Sequence, residues 1–327
     1  LAHAAYDVKV TKRDSEPVLA FINGTTSYQF VFNPSWVQAT GGSGGKHGLL
    51  VRTQDCDCDV GGMCVFCGGS AEKASILTFA ELQSDGFLHV DDSSVVFGPY
   101  DESDAWGTED PRIQYNPKDE TYYMFYTAYN GEDILLSLAT TRNPSAADGW
   151  TRLGAVFPSE QGSKSGALLL REEGPHYLLW GDHDIRIAAS SDLTSWPSTG
   201  DIILSTRDNH FDSQLVESGP PPLPLSNGDY LFFYNSAELG WPDDPATAYH
   251  PGWVILSGSD PTQIVARSEE PLMGPKYAWE TGEAPYTCNV PNVVFLEAAR
   301  PLGNDRFEIF FGAADAAIGR AVVEVTF

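Results

Sequence analysis

Glu109, Asp110 and Arg112 stand together in WGTEDPRIQY, a few residues ahead of the apolar run TYYMFYTAY. Two adjacent carboxylates beside a buried strand, with a guanidinium close by, form a proton-handling group: one acid can protonate a leaving oxygen while the arginine holds a charge or a hydroxyl. Side chains alternate across a strand, so Asp110 and Arg112 should point to the same side. Other polar residues interrupt or border strand-like segments in the same manner. They are Asn33 in FNPS, Arg52 in LLVRT, Lys164 in SKSGALLL, Asp182, His183 and Asp184 in WGDHD, Glu217 in VESGPPPLP, Asn235 in FYNS, Glu280 in YAWETG and Asp315 in FGAAD. Carboxylates dominate this set. Several of them around one cavity suit glycosidic bond cleavage, where one acid protonates the leaving oxygen and a second carboxylate activates water or attacks carbon. An Asp-Pro pair also serves as an ordinary turn, so the chemistry depends on whether the fold brings these residues together.

The elements that must do so are strands. Short β-type runs separated by Gly, Pro, Asp and Ser clusters fill the chain, and long amphipathic helical patterns are missing. A unit made of an aromatic strand, a polar turn and a second strand recurs with starts near residues 48, 122, 177, 230 and 307. Antiparallel repeats of that length predict an all-β, five-bladed β-propeller forming a single domain over residues 1–327. The C-terminal strand Val322 to Phe327 is expected to join N-terminal strands and close the ring. Trp150 and Trp196, each ending a small-residue and Asp segment, are expected to fill gaps between blades. A propeller gathers the inner-strand residues of all blades around one axis, which makes a single composite site from residues far apart in sequence.

A net charge of -26, with 19 basic residues against 45 acidic ones, argues against nucleic acid as a partner and for a neutral substrate such as a glycan. The apolar runs are strand-sized, so no membrane helix is expected. Cys56, Cys58, Cys64 and Cys67 lie in CDCDVGGMCVFC and Cys288 lies far away. The cluster can be read as a disulfide-stapled surface loop or as a zinc site. Together with the sequon Asn23-Gly24-Thr25 and a start, LAHAAYD, that looks like a processed N-terminus, it favours a secreted protein.

GTEDPRI at Gly107, ESGPPPL at Glu217, VPNVVF at Val290 and FFGAAD at Phe310, in this order, resemble glycoside hydrolase family 130, the mannoside phosphorylases and β-mannosidases with a five-bladed propeller. FNPS at Phe32, LLVR at Leu49, SKSGALLL at Ser163 and DPTQIVARSEEPLMGP at Asp260 extend the resemblance along most of the chain. The resemblance implies that Asp110 is the general acid, acting through a hydroxyl of the bound sugar, framed by Glu109 and Arg112. It also implies that Asn33, Arg52 and Asp315 line the sugar pocket. Phosphorylases of the family place an arginine where this chain has Gly181-Asp182, and a histidine where it has Asn235. Lys164 is retained, but Glu217 stands in ESGPPP where phosphorylases tend to show GxGPPP. On these departures the expected activity is inverting hydrolysis of β-mannosides, releasing mannose. Asp110 is the acid and Glu217, with Glu280, is the base; Glu283 is an alternative to Glu280, and His183 and Asn235 are further substrate contacts. Trp106, Tyr129 or Trp253 would stack on a sugar face. No metal or cofactor is implied. The alternatives are a phosphate-dependent mannoside phosphorylase using Lys164 with Arg52, and a carbohydrate-binding propeller without catalysis.

Overall fold

In the computed structural model, residues 6–20, 30–42, 44–54, 74–90, 92–239, 247–283 and 290–327 are described. The cysteine cluster, Cys288 and the Asn23 sequon lie outside these residues.

Five antiparallel sheets form the blades. The first contains Phe30–Val37, Gly48–Gln54 and Ile76–Leu82. The second contains Gly107–Asn116, Thr121–Tyr129, Ile134–Thr141 and Thr151–Ala155. The third runs from Ala167–Leu169 through His176–Trp180 and Asp184–Ser190 to Asp201–Ser205. The fourth runs from Leu215–Ser218 through Tyr230–Leu239 and Thr247–Leu256 to Ile264–Arg267. The fifth is made of Val294–Gly303, Arg306–Ala313 and Ala317–Thr326, with the N-terminal strand Asp7–Arg13 as its outer edge. Asp7 pairs with Thr326 and Lys12 with Val322, so the two ends of the chain share one sheet and close the ring as expected.

Each blade is sandwiched between two others, so its strands bury both faces. The run YYMFYTA shows why it is aromatic throughout: Tyr122, Met124 and Tyr126 pack with Leu50 and Phe79 of the first blade, while Tyr123 and Phe125 pack with Leu168 and Trp180 of the third. Period-two alternation thus feeds two cores from one strand. Each such large apolar side chain contributes roughly 1.5–3 kcal/mol when fully buried. Trp150 and Trp196 close the gaps between blades in these same two clusters, edge-on to Phe97 and Phe125 at 5.1 and 5.9 Å.

The repeats read from the sequence correspond to the second strand of each sheet, at Gly48, Thr121, His176, Tyr230 and Arg306. The strands ahead of them are less legible because they are short, as at Ala167–Leu169 and Leu215–Ser218, or irregular. Register shifts fall between Phe32 and Pro34, between Glu109 and Arg112, and between Leu296 and Ala298. A bulge adds an unpaired residue and re-aims a side chain. The three bulges hold Asn33, Asp110 and Glu297.

Candidate functional site

Asn33 and Asp110 both adopt positive φ, 46° and 49°, although each precedes a proline, a position that ordinarily favours extended backbone. Asn and Asp tolerate the left-handed region better than most residues, and conformations of this kind cluster where function fixes them. The same region holds Ser165 at 60° and Asp315 at 49°. Four blades therefore turn their backbone out of regular geometry at the positions singled out by the site chemistry or immediately beside them.

These turns bring one group of side chains together. The Asn33 amide donates to Oδ1 of Asp110 at 2.8 Å, and Arg52 donates to the same oxygen at 2.9 Å, to Glu109 at 2.6 Å and to the Ser75 hydroxyl at 3.0 Å. The Arg52 guanidinium lies over the Phe32 ring, 4.6 Å from its centroid. Gly312 admits Asn33 to this cluster, because a Cβ at that position would stand 2.8 Å from the Asn33 side-chain oxygen. Among the described residues nothing donates to Oδ2 of Asp110, while Oδ1 takes both hydrogen bonds. Burial pushes the Asp110 carboxyl up, but Arg52 and Arg112 overcome this and hold it below the usual carboxylate range. Burial raises the neighbouring Glu109.

Between the third and fourth blades, Lys164 lies 3.1 Å from Asp182 and 3.7 Å from Glu217. Glu217, together with Asp182 and Asp110, holds the Lys164 ammonium well above its ordinary range against the pull of burial. The hydroxyl of Ser165 donates to Glu217. The His183 ring touches Asp182 at 3.1 Å and is otherwise three-quarters exposed, at the rim.

Asp315 is shifted toward neutrality. Burial first, then Asp110, Glu109 and Glu217, push it up to about 7 in spite of Arg52. Between its ordinary value of 3.8 and 7 the folded chain carries a proton that the unfolded chain has lost, so Asp315 reduces stability as pH rises through that window and does so fully above it. A shift of that size corresponds to a cost on the order of 4 kcal/mol. Asp315→Asn is therefore expected to gain stability over the parent chain on going from pH 5 to pH 8, read from urea midpoints at both values. A difference independent of pH would contradict the assignment.

Five expected site residues are placed elsewhere. Arg112 is fully buried and meets no open space. It donates to the carbonyls of Gly219 at 3.2 Å, Asp110 at 2.9 Å and Ser218 at 2.6 Å, so it frames the site from beneath and does not contact sugar. Asn235 staples the fourth blade to the fifth by accepting from the Leu296 amide at 2.6 Å and donating to its carbonyl at 3.0 Å. Glu280 is fully buried at the start of the short helix Ala278–Thr281. Its carboxylate accepts the amides of Lys276 and Tyr277 at 2.7 and 2.9 Å and Arg13 at 2.6 Å, which occupies both oxygens and excludes a role as base. Glu283 is exposed just beyond that helix. Trp253 packs into the core between the fourth and fifth blades. Trp106 and Tyr129 stand edge to face at 6.0 Å where the Asp110 strand begins.

Three residues of the site were missed by the sequence reading. Glu297 was visible as a lone carboxylate in NVVFLEAA. Tyr249, whose phenol is held up by burial and then by Asp315 and Glu217, borders an insertion with no readable pattern. Ser165 carries no sequence signal of its own.

A sequence profile described as β-1,4-mannooligosaccharide phosphorylase matches residues 65–326. The chain belongs to glycoside hydrolase family 130. Among family 130 relatives, a 1,2-β-oligomannan phosphorylase of Thermoanaerobacter sp. (strain X514) is 31% identical over 229 residues, covering 68% of this chain and 70% of the relative. A β-1,2-mannobiose phosphorylase of the same organism is 32% identical over 223 residues, 68% of each chain. A solved structure superposes with a TM-score of 0.75 at 26% identity, covering 98% of this chain and 95% of the other. It comes from work showing that the family of mannoside phosphorylases contains glycoside hydrolases that target β-1,2 mannosidic linkages in Candida mannan. Membership in family 130 and the five-bladed propeller agree with the sequence reading. The preference for hydrolysis gains no support from the two sequence relatives, which are named as phosphorylases and favour the alternative.

Proposed function

We propose that this protein is an inverting phosphorylase of β-linked mannosides, with β-1,2-linked mannose oligosaccharides as the first substrates to test. A phosphate oxygen attacks the anomeric carbon, the C1–O bond to the leaving sugar breaks, and that oxygen takes a proton. The products are α-mannose 1-phosphate and a chain shortened by one residue. The observation that carries this reading is Lys164, a cation held beside Glu217 and within electrostatic reach of Asp110, in a chain whose named sequence relatives are phosphorylases. Arg52 is committed to Asp110, Glu109 and Ser75, so Lys164 is the cation that meets phosphate. Glu217 beside it would repel a bare dianion, but it can accept a hydrogen bond from a phosphate that still carries a hydroxyl.

On the opposite side of the sugar ring, Asp110 presents Oδ2 and delivers the proton through a sugar hydroxyl. Its resting carboxyl is ionised at neutral pH, so the proton must be drawn from the coupled set as substrate enters. Asp315, pushed up to about 7, is one member that can supply it.

Hydrolysis is the second reading, favoured by a specific observation. Glu217 is a nearly buried carboxylate fixed by Ser165 and Lys164 on the side where a nucleophile would stand, and it can take the proton of a water there. Incubation with β-1,2-mannobiose, with and without inorganic phosphate, separates the two readings. Secretion is carried by the cysteine cluster and the sequon alone, and belongs to the proposal on the same footing; culture medium fractionation from the native host tests it.

A further inference from the structure

Glu297 sits in the bulge of Val294–Gly303, the innermost strand of the fifth blade, and is fully buried. Among the described residues its one ion contact is Arg112, with Oε1 2.7 Å from Nη2, yet no N–H of Arg112 points along that line and neither carboxyl oxygen has a hydrogen-bond partner there. A buried polar group left in this state is costly, and hydrocarbon would fit an apolar strand better. Burial, reinforced by Asp110 and Glu217, pushes this carboxyl well above the usual range, which also places it within electrostatic reach of both.

What Glu297 touches gives it a role. Arg112 grips the carbonyl of Asp110 on the second blade and the carbonyls of Ser218 and Gly219 on the fourth, directly after Glu217. One guanidinium thus spans the two strands that carry Asp110 and Glu217, and Glu297 meets its edge from the fifth blade. We propose that Glu297 is a positioning residue that seats Arg112 and thereby sets the separation of Asp110 and Glu217 across the sugar. This rests on the reading that those two carboxylates flank the reacting centre. It differs from a structural ion pair in where it acts: loosening Arg112 alters the distance across the site before it alters the fold.

The test compares the full chain with Glu297→Ala and with Glu297→Gln, which keeps the length and shape of the side chain. Turnover of β-1,2-mannobiose with phosphate should fall about 100-fold in kcat for Glu297→Ala, the size of effect produced by a misplacement of about 1 Å. The sugar KM should stay nearly constant, and Glu297→Gln should recover most of the loss. A kcat per folded molecule equal to the parent's in Glu297→Ala, with only Tm lowered, overturns the proposal. If Glu297→Ala does not fold, Glu297→Asp withdraws the carboxyl from Arg112 by one methylene and should show the same split in milder form. Absence of turnover in the parent chain would defeat the functional reading and not this one. Crystal structures of the parent and of Glu297→Ala, or of Glu297→Asp if Ala does not fold, then read the Asp110–Glu217 separation directly. A changed separation supports positioning and an unchanged one overturns it.

Discussion

Asp110→Asn is expected to lower kcat on an unactivated β-mannoside by about 1,000-fold, within the range contributed by a positioned proton donor, while the protein keeps a native melting profile. The asparagine still offers an oxygen to Asn33 and Arg52, so the hydrogen bonds that seat the residue survive and only the transferable proton is lost. The leaving group decides the interpretation. A dinitrophenyl β-mannoside departs without protonation, so the deficit should shrink sharply on that substrate if Asp110 supplies a proton. It should persist if Asp110 only binds sugar. Comparable losses on both substrates would remove Asp110 from the role of acid.

Lys164→Ala is the second large effect. The ammonium belongs to a partly buried arrangement with Glu217 and Asp182, and in the phosphorylase reading it is the group that carries the nucleophile. Hydrogen bonds to charged groups contribute roughly 1.5–3 kcal/mol, so kcat/KM for phosphate should fall about 10- to 150-fold, with the KM for the oligosaccharide nearly unchanged. Initial rates over a grid of phosphate and sugar concentrations give both constants. Loss confined to the sugar KM would mean that Lys164 contacts the glycan and that phosphate, if used, is held by other residues. Removing the cation also leaves Glu217 and Asp182 facing each other, so a drop in Tm at neutral pH that diminishes toward acid pH is part of the expected result.

The sequence showed the blades through strands such as TYYMFYTAY, whose double-sided burial makes every residue apolar or aromatic. The innermost strands were harder to see for the reason that makes them useful. Bulges at Asn33, Asp110 and Glu297 break the period of two, and two of them are marked by a following proline. Asp110, Arg52, Asn33, Lys164, Glu217 and Asp315 were legible as polar interruptions of strand-like segments, and the fold assembles them. Arg112, Asn235 and Glu280 looked the same in sequence but face carbonyls, a neighbouring blade and a helix start. The difference is orientation about a strand or a turn, which one-residue offsets such as a bulge reverse. Glu297 is the converse case, a carboxylate in an apolar run that reads as a stray charge until Arg112 is found beside it. The missing arginine and histidine of phosphorylases point to hydrolysis, whereas Lys164 beside Glu217 and the named sequence relatives point to phosphorolysis.

The most direct measurement is ³¹P and ¹H NMR of the products from β-1,2-mannobiose incubated with the purified chain, with and without inorganic phosphate. Phosphorolysis predicts α-mannose 1-phosphate and one equivalent of mannose, formed only when phosphate is present. Free mannose released at the same rate in both samples, with no phosphate ester, would contradict phosphorolysis and assign the nucleophile to a water held by Glu217.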